Sequence, residues 1–225
     1  MNLKNVKLAF DIGAYDGGYA NCLLEQGVSK LVCLEPSSFS FERVKQRYLN
    51  NDNVTVLNSA ASDMDRSELP FYASKRHPTI STVVKEWTTN SRFANDRDEA
   101  GIPYEWDGAE TVSSTTIDTL ISMYGVPEFI KIDVEGHEES VLKGLTKHYP
   151  GLTLGFEFAE EFIESLKKGM DHLHSLGYNS IGIVEGDEPG KFPDRYHNYK
   201  PFMDKMNKIF PTANKLFFGM VYVKD

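Results

Sequence analysis

Cysteine is scarce in this chain: Cys22 and Cys33 are its only thiols among 225 residues. Two cysteines give no disulfide framework and point to a reducing compartment. Lying in an expected helix and an expected strand, they read as small buried apolar groups. Long apolar runs are also missing, and none approaches the roughly 20 residues that cross a bilayer. The opening MNLKNVKLAF passes straight into a strand-like run without the pattern of a secretory leader. The expectation is a cytoplasmic protein with no membrane insertion. Positive charge is in deficit, with 24 Lys and Arg against 33 Asp and Glu and a net charge of −9. That excludes a broad nucleic-acid binder, whose non-specific affinity comes from a basic face. One local basic run, Lys75-Arg76-His77, is either a contact for an anionic substrate or a solvated loop. No repeat or low-complexity tract divides the sequence. With 40% hydrophobic and 25% charged residues, residues 1–225 read as one α/β domain with a full core. No oligomeric state is legible.

What is present begins with FDIGAYDGG, Phe10 to Gly18. An apolar run ends at Asp11-Ile12-Gly13, and Gly17 arrives where a helix should start. This is a strand, a tight turn and a helix N-terminus, where backbone can approach a ligand closely. A second apolar run, Lys30 to Leu34, delivers Glu35 about twenty residues on, where α/β folds hold a ribose. The spacing is Asp-x-Gly-x-x-x-Gly rather than the Gly-x-Gly-x-x-Gly of dinucleotide sites. A nucleoside cofactor without phosphates, such as S-adenosylmethionine, fits it better than NAD.

Apolar runs alternate with amphipathic stretches through most of the chain. Strands are predicted over Val6–Ile12, Lys30–Leu34, Asn53–Asn58, Phe129–Asp133, Leu152–Phe158, Tyr178–Val184 and Lys215–Val223, with a short extra one over Leu69–Ala73. Helices are predicted over Gly18–Gln26, Ser38–Leu49 with Ser37 or Ser38 as cap, Glu138–His148 and Glu161–Leu176. Helices between successive strands imply crossovers, hence a largely parallel sheet covered on both faces. Two segments break the pattern and read as lid or acceptor loops: 74–108, which carries Trp87 and Trp106, and 185–211, with Phe192, Tyr196, Tyr199 and Phe202.

The segment FIKIDVEGHEESVLKGL, Phe129 to Leu145, resembles the signature of FkbM-type methyltransferases. So do the Asp11-x-Gly13-Ala14 turn, the acidic Glu35, the stretch Ala60-Ala61-Ser62-Asp63 and the run Thr116-Ile117-Asp118-Thr119-Leu120. The order of these motifs over residues 6–160 carries the resemblance. It implies a class I, Rossmann-like three-layer sandwich with a seven-stranded, mostly parallel sheet whose last strand is antiparallel. It also implies S-adenosylmethionine as cofactor and a hydroxyl acceptor on a small molecule or glycan, a sugar being favoured. An NAD-binding oxidoreductase and a non-catalytic nucleoside-binding module are the rival readings.

The chemistry assigns expected roles. Asp11 takes the cofactor's ammonium, directly or through water. Amides of the turn Gly13, Ala14, Tyr15 to Gly17 take its carboxylate, and Glu35 takes the ribose diol. Pro36, Ser59, Ala60 and Ala61 line an adenine slot. Methylating a hydroxyl requires loss of its proton; the candidates for the base are Asp133, then His137, then Glu135. Lys131, costly to bury alone, pairs with Asp133 by strand alternation or with Glu157 on the next strand; the pair either organises the sheet or serves catalysis. Asp133, Glu135, Glu157 and Glu160 offer hard oxygen ligands to Mg²⁺, but no spacing demands a metal and none is expected. Pro78 to Thr82, with His77 and Trp87, is the expected acceptor wall. A tryptophan there would stack on a sugar or anchor the loop.

Overall fold

The structure, a computed structural model, describes residues 3–209 and 217–225. In chain order the elements are β1 (Leu8–Ile12), α1 (Gly18–Glu25), β2 (Lys30–Leu34), α2 (Ser38–Arg47), β3 (Val54–Leu57), β4 (Ala60–Ala61), β5 (Arg66–Ala73) and α3 (Trp87–Asn90). They continue with β6 (Gly108–Thr115), α4 (Ile117–Tyr124), β7 (Phe129–Ile132), α5 (Glu138–Lys143), β8 (Thr153–Ala159) and α6 (Ile163–Leu176). The last are β9 (Ser180–Glu185), β10 (His197–Asn198), α7 (Tyr199–Ile209) and β11 (Phe218–Lys224).

The main sheet runs β3-β2-β1-β7-β8-β11-β9-β10. Strands from β3 to β8 pair in parallel, and β11 inserts antiparallel between β8 and β9. Seven strands are as expected; the eighth is the two-residue edge β10, antiparallel to β9. The central strands β1, β2 and β7 are buried almost throughout, as a sheet covered on both faces requires. Alternation sorts their side chains. Phe10, Ile12, Ile130 and Ile132 pack in one core with the buried faces of α4 to α7. Ala9, Leu31, Cys33 and Phe129 pack in the other against Ala20 and Leu23 of α1 and Val44 of α2. Asp11 and Lys131 have the parity of Ala9 and Phe129, so the second face carries both charges.

Caps decide several boundaries. Ser37 caps α2, accepting from the Ser40 amide, and Thr116 caps α4, accepting from the Thr119 amide at 3.0 Å. Gly177 ends α6 in the left-handed region at φ 109°. The helix expected over Glu138–His148 stops at Lys143, because Gly144 is pressed against other backbone; an added Cβ would lie 2.4 Å from the Ser62 carbonyl oxygen.

Both irregular segments are more ordered than their composition suggests. The short strand expected at Leu69–Ala73 is β5, longer than expected and paired antiparallel with β6. With β4 they form a separate three-stranded sheet, and residues 74–107 are the excursion between β5 and β6. The segment expected as a loop over 185–211 contains β10 and α7, whose Phe202 and Met206 enter the core. Phe210 and Pro211 of that segment, and Lys215 and Leu216 of the expected last strand, lie outside the described residues.

Candidate active site

After β1 the chain turns to β2 on one side, and it returns later to β7 on the other. Such a reversal opens a crevice at the carboxyl ends of the strands. A cleft of about 280 Å³ lies there, near the lower end of the roughly 300–1,000 Å³ usual for small-molecule sites. The strand ends themselves meet tightly beside it. Gly13 has φ +80°, and a Cβ on it would fall 1.8 Å from the Asp133 carbonyl oxygen, so this position admits glycine alone.

Glu35, at the tip of β2, is 7% exposed and borders the cleft. Its two carboxylate oxygens accept from the Tyr15 amide at 2.8 Å and the Ser37 amide at 2.9 Å. Burial pushes its pKa up to about 7, against the pull of those two amides. Asn58 fixes the following turn by donating to the carbonyls of Glu35 at 2.9 Å and Pro36 at 3.0 Å. Pro36, Ser59, Ala60 and Ala61 line the neighbouring wall, joined by Phe71 of β5.

The Gly13–Gly17 turn spends its amides differently from the expectation. Gly13 and Ala14 donate to the Leu34 carbonyl, Tyr15 to Glu35 and Gly17 to the Ala14 carbonyl. The turn therefore holds β1 to β2 and orients Glu35, which leaves these four amides no proton for a ligand carboxylate. Ala14 and Tyr15 still border the cleft, the latter at φ +49°, whereas Gly17 packs under the Tyr48 ring. Asp11 also falls short of the cleft wall. It is fully buried behind Lys131, because its parity turns it toward α1.

The far end of the cleft is acidic. Oxygens of Asp133, Glu135 and Glu157 all lie within 4.8 Å of one another, and Asp187 borders the same space. Glu160, grouped with them on sequence, instead accepts the Phe217 amide at 3.0 Å. Burial, with the negative charge of Asp133 beside each, holds the carboxyl groups of Glu135 and Glu157 well above the usual carboxylate range. Burial likewise raises Glu138 to about 7, while that group accepts the Val134 amide at 3.0 Å. Lys131 is the cation at this end, with Nζ 3.2 Å from Asp133 and 3.6 Å from Asp11, and it donates to the Gly13 carbonyl at 3.0 Å. Burial would lower its pKa, but Asp133 and Asp11 outweigh burial and raise it. Of the two partners expected from sequence the ion pair is with Asp133; Asp11 is the partner that the sequence missed.

His137 borders the cleft just before α5, with Nε2 3.1 Å from the Ser62 hydroxyl. Burial lowers its pKa to about 4, so it is neutral at pH 7 and a weak base.

The 74–107 excursion is pinned to this turn. Thr82 donates to the Glu135 carbonyl at 2.7 Å, and Glu135 itself has φ +53°. Trp87, 3% exposed, lies directly under Gly136, where a Cβ would come within 2.7 Å of the ring. Arg92 clamps the same segment to Glu161 through three hydrogen bonds, two from its guanidinium at 2.9 and 2.7 Å and one from its amide at 2.8 Å. Trp87 is thus an anchor and no stacking platform, and Trp106 is tied to the Ile80 carbonyl at 2.8 Å. Pro78, Thr79, Ser81 and Thr82 border the cleft but His77 does not. The basic run is neutralised locally: Lys75 meets Asp107 at 3.8 Å, and Arg76 and His77 meet Asp98 at 3.1 and 3.4 Å. Tyr19 of α1 and, from the segment after β9, Asp187 and Pro189 also border the cleft; nothing in the local sequence marked the last two, which a distant segment brings there.

Residues 11–180 match the model of the methyltransferase FkbM domain. The chain belongs to that family: it is a methyltransferase of class I, Rossmann-like architecture, with S-adenosylmethionine as methyl donor. The readings as an oxidoreductase or as a non-catalytic module are set aside by this membership. No protein of curated function matches the sequence. Among solved structures, the chain is similar to the precorrin-6y C5,15-methyltransferase of Geobacter metallireducens at 10% identity and TM-score 0.44, over 99% of this chain and 84% of that one. It is also similar to the StiE O-MT at 11% identity and TM-score 0.49, over 100% and 70%. A third is the ribosomal protein L11 methylase of Lactobacillus delbrueckii subsp. bulgaricus, at 11% identity and TM-score 0.43, over 97% and 70%. The architecture follows from the strand order and the family.

Proposed function

We propose that the protein transfers a methyl group from S-adenosylmethionine to a hydroxyl of a small molecule or glycan, with a sugar the favoured acceptor. The observation that carries this is the grouping of Asp133, Glu135 and Glu157 on the β7–β8 side of the cleft, across β1 from Glu35 at the tip of β2. A hydroxyl acceptor must lose its proton as it is methylated, and a carboxylate of raised basicity inside the cleft is suited to take it. His137 is the weaker candidate for the base, since burial opposes its protonation; burial makes Glu135 more basic, and Asp133 is a candidate by its position between Lys131 and the cleft. A polyol suits this wall, because carboxylates accept hydrogen bonds from several hydroxyls at once.

The cofactor fits the other end. Glu35 has no cationic partner among its contacts and keeps acceptor capacity after its two backbone bonds, which matches a ribose diol. Pro36, Ser59, Ala60 and Ala61 flank it as the adenine slot, and Gly13, Ala14, Tyr15 and Asp133 would border the aminoacyl portion. When bound, S-adenosylmethionine supplies a methyl group made electrophilic by its sulfonium. The chain's own residues fix the nucleophile in line with that methyl and receive its proton, and orientation alone is worth roughly 7–11 kcal/mol in favourable cases.

Among the described residues no helix is long and apolar enough to cross a membrane, and both thiols are unpaired; we take the compartment to be the cytoplasm. Incubation of the purified protein with S-adenosylmethionine and a panel of sugars, nucleotide sugars and small alcohols tests the reading. S-adenosylhomocysteine should appear together with an O-methyl product. Methylation confined to nitrogen or carbon would overturn the hydroxyl assignment.

A further inference from the structure

Asp11 is the one carboxylate of the site with no exposed surface; neither of its oxygens makes a well-formed hydrogen bond, and the donors that face it are the Lys131 ammonium and, more weakly, the Ala20 amide of α1. Its nearest cation is Lys131 at 3.6 Å, too long for a hydrogen bond and short enough for an ion pair. The Lys131 ammonium has three protons. One goes to the Gly13 carbonyl at 3.0 Å and one faces Asp133 at 3.2 Å, which leaves Asp11 as the remaining counter-charge. The Tyr19 ring of α1, 5.3 Å from Nζ, closes the other side. One buried cation therefore sits between two anions, of which only Asp133 reaches the cleft.

We infer that Asp11 is a positioning residue that acts through Lys131: a buried counter-ion that holds the ammonium between Gly13 and Asp133 and makes no contact with the methyl donor. The consequence concerns Asp133. With a single carboxylate beside it, Lys131 would claim that group permanently, since stranding a buried charge is strongly destabilising. With Asp11 behind it, the ammonium stays compensated while Asp133 turns toward a ligand. Register explains why these residues meet: Asp11 and Lys131 are direct partners in the β1–β7 pairing, with side chains on the same face.

The inference rests on Asp133 being the reacting carboxylate, and its test separates the two ideas. Asp11→Asn keeps the shape and removes the charge. The expected result is a fall in kcat of about 10²-fold, the scale of a misplaced reacting group, with S-adenosylhomocysteine affinity by calorimetry within about 3-fold of wild type. A loss of affinity as large as the loss of kcat would overturn the inference and make Asp11 a cofactor contact. Thermal denaturation of the cycle Lys131→Met, Asp11→Asn and the double variant supplies an arm that needs no acceptor. Lys131→Met strands Asp11, so adding Asp11→Asn should raise Tm above that of Lys131→Met alone. A double variant no more stable than Lys131→Met would sink the pairing, even if Asp11→Asn alone does not fold. Should wild type methylate no hydroxyl, the acceptor reading fails, while calorimetry and the Tm cycle still decide the place of Asp11.

Discussion

Replacing Glu35 with Gln bears most directly on the cofactor end. The carboxylate accepts two backbone amides, at 2.8 and 2.9 Å, and has lone pairs left for a ribose diol. A hydrogen bond to a charged group is worth about 1.5–3 kcal/mol. Gln keeps one acceptor oxygen and loses the charge, so the cost is about one such bond, or roughly 10- to 150-fold in Kd. The pH dependence is more discriminating. The pKa of Glu35 is pushed from 4.5 to about 7 in the folded chain, so ribose donors compete with a proton below pH 7. Wild-type affinity for S-adenosylhomocysteine should fall by up to tenfold per pH unit on going below about 7 and be flat above it. Glu35→Gln should bind weakly with no such slope. Folding carries the opposite sign: a carboxyl raised in the folded state favours the fold below pH 4.5, and that advantage is lost as pH rises through about 7. The window is worth about 3 kcal/mol, and Glu35→Gln should remove that part of the stability profile. Isothermal titration calorimetry from pH 5.5 to 8.5, with Tm recorded at each pH, reads both effects. An unchanged Kd, or a variant that keeps the wild-type slope, would refute a ribose role for Glu35.

Two further outcomes concern the acidic end. Asp133→Asn should lower kcat by about 10²- to 10⁴-fold, the usual contribution of a positioned base, while S-adenosylhomocysteine affinity changes little; full activity would retire Asp133 and leave Glu135 as the base. Treatment with EDTA should leave turnover intact, because the Asp133–Glu135–Glu157 group is assigned here to proton transfer and substrate hydroxyls; a loss restored by Mg²⁺ would reassign it to a cation.

The frame of the fold was legible because it rests on local signals. Val32, Leu34, Ile130 and Ile132 stand in short apolar runs, and Gly13 and Glu35 fall where strands must end. What escaped was either locally camouflaged or non-local. β6 reads GAETVSST and buries little beyond Val112 and Ser114, so alternation never rises above its polar face. α7 was hidden by Pro201, which looks like a break but lies in the helix's first turn, where its missing amide costs nothing. Asp11 illustrates the non-local case. The sequence gives its parity on β1 but not which residue of β7 faces it, and that register decides whether it greets the ligand or stands behind Lys131.

Charge runs mislead for the same reason, and Lys75-Arg76-His77 shows how. Three basic residues in a row suggest a patch for an anion only if their counter-charges are absent. Asp98 and Asp107 are far enough along the chain to escape any local window. The β5–β6 excursion nevertheless folds both back, so that Arg76 donates twice to Asp98 at 3.1 Å and Asp107 accepts the Lys75 amide at 3.0 Å. Conversely, Asp133, Glu135 and Glu157 were grouped from sequence by their strand ends, but no window adds Asp187, from the segment after β9, or shows that Glu160 turns away to the Phe217 amide. The basic run closes its own loop, and the scattered carboxylates make the wall. For a site at a topological switch point this is the expected division: its parts sit at the ends of strands that are neighbours in space and distant in sequence.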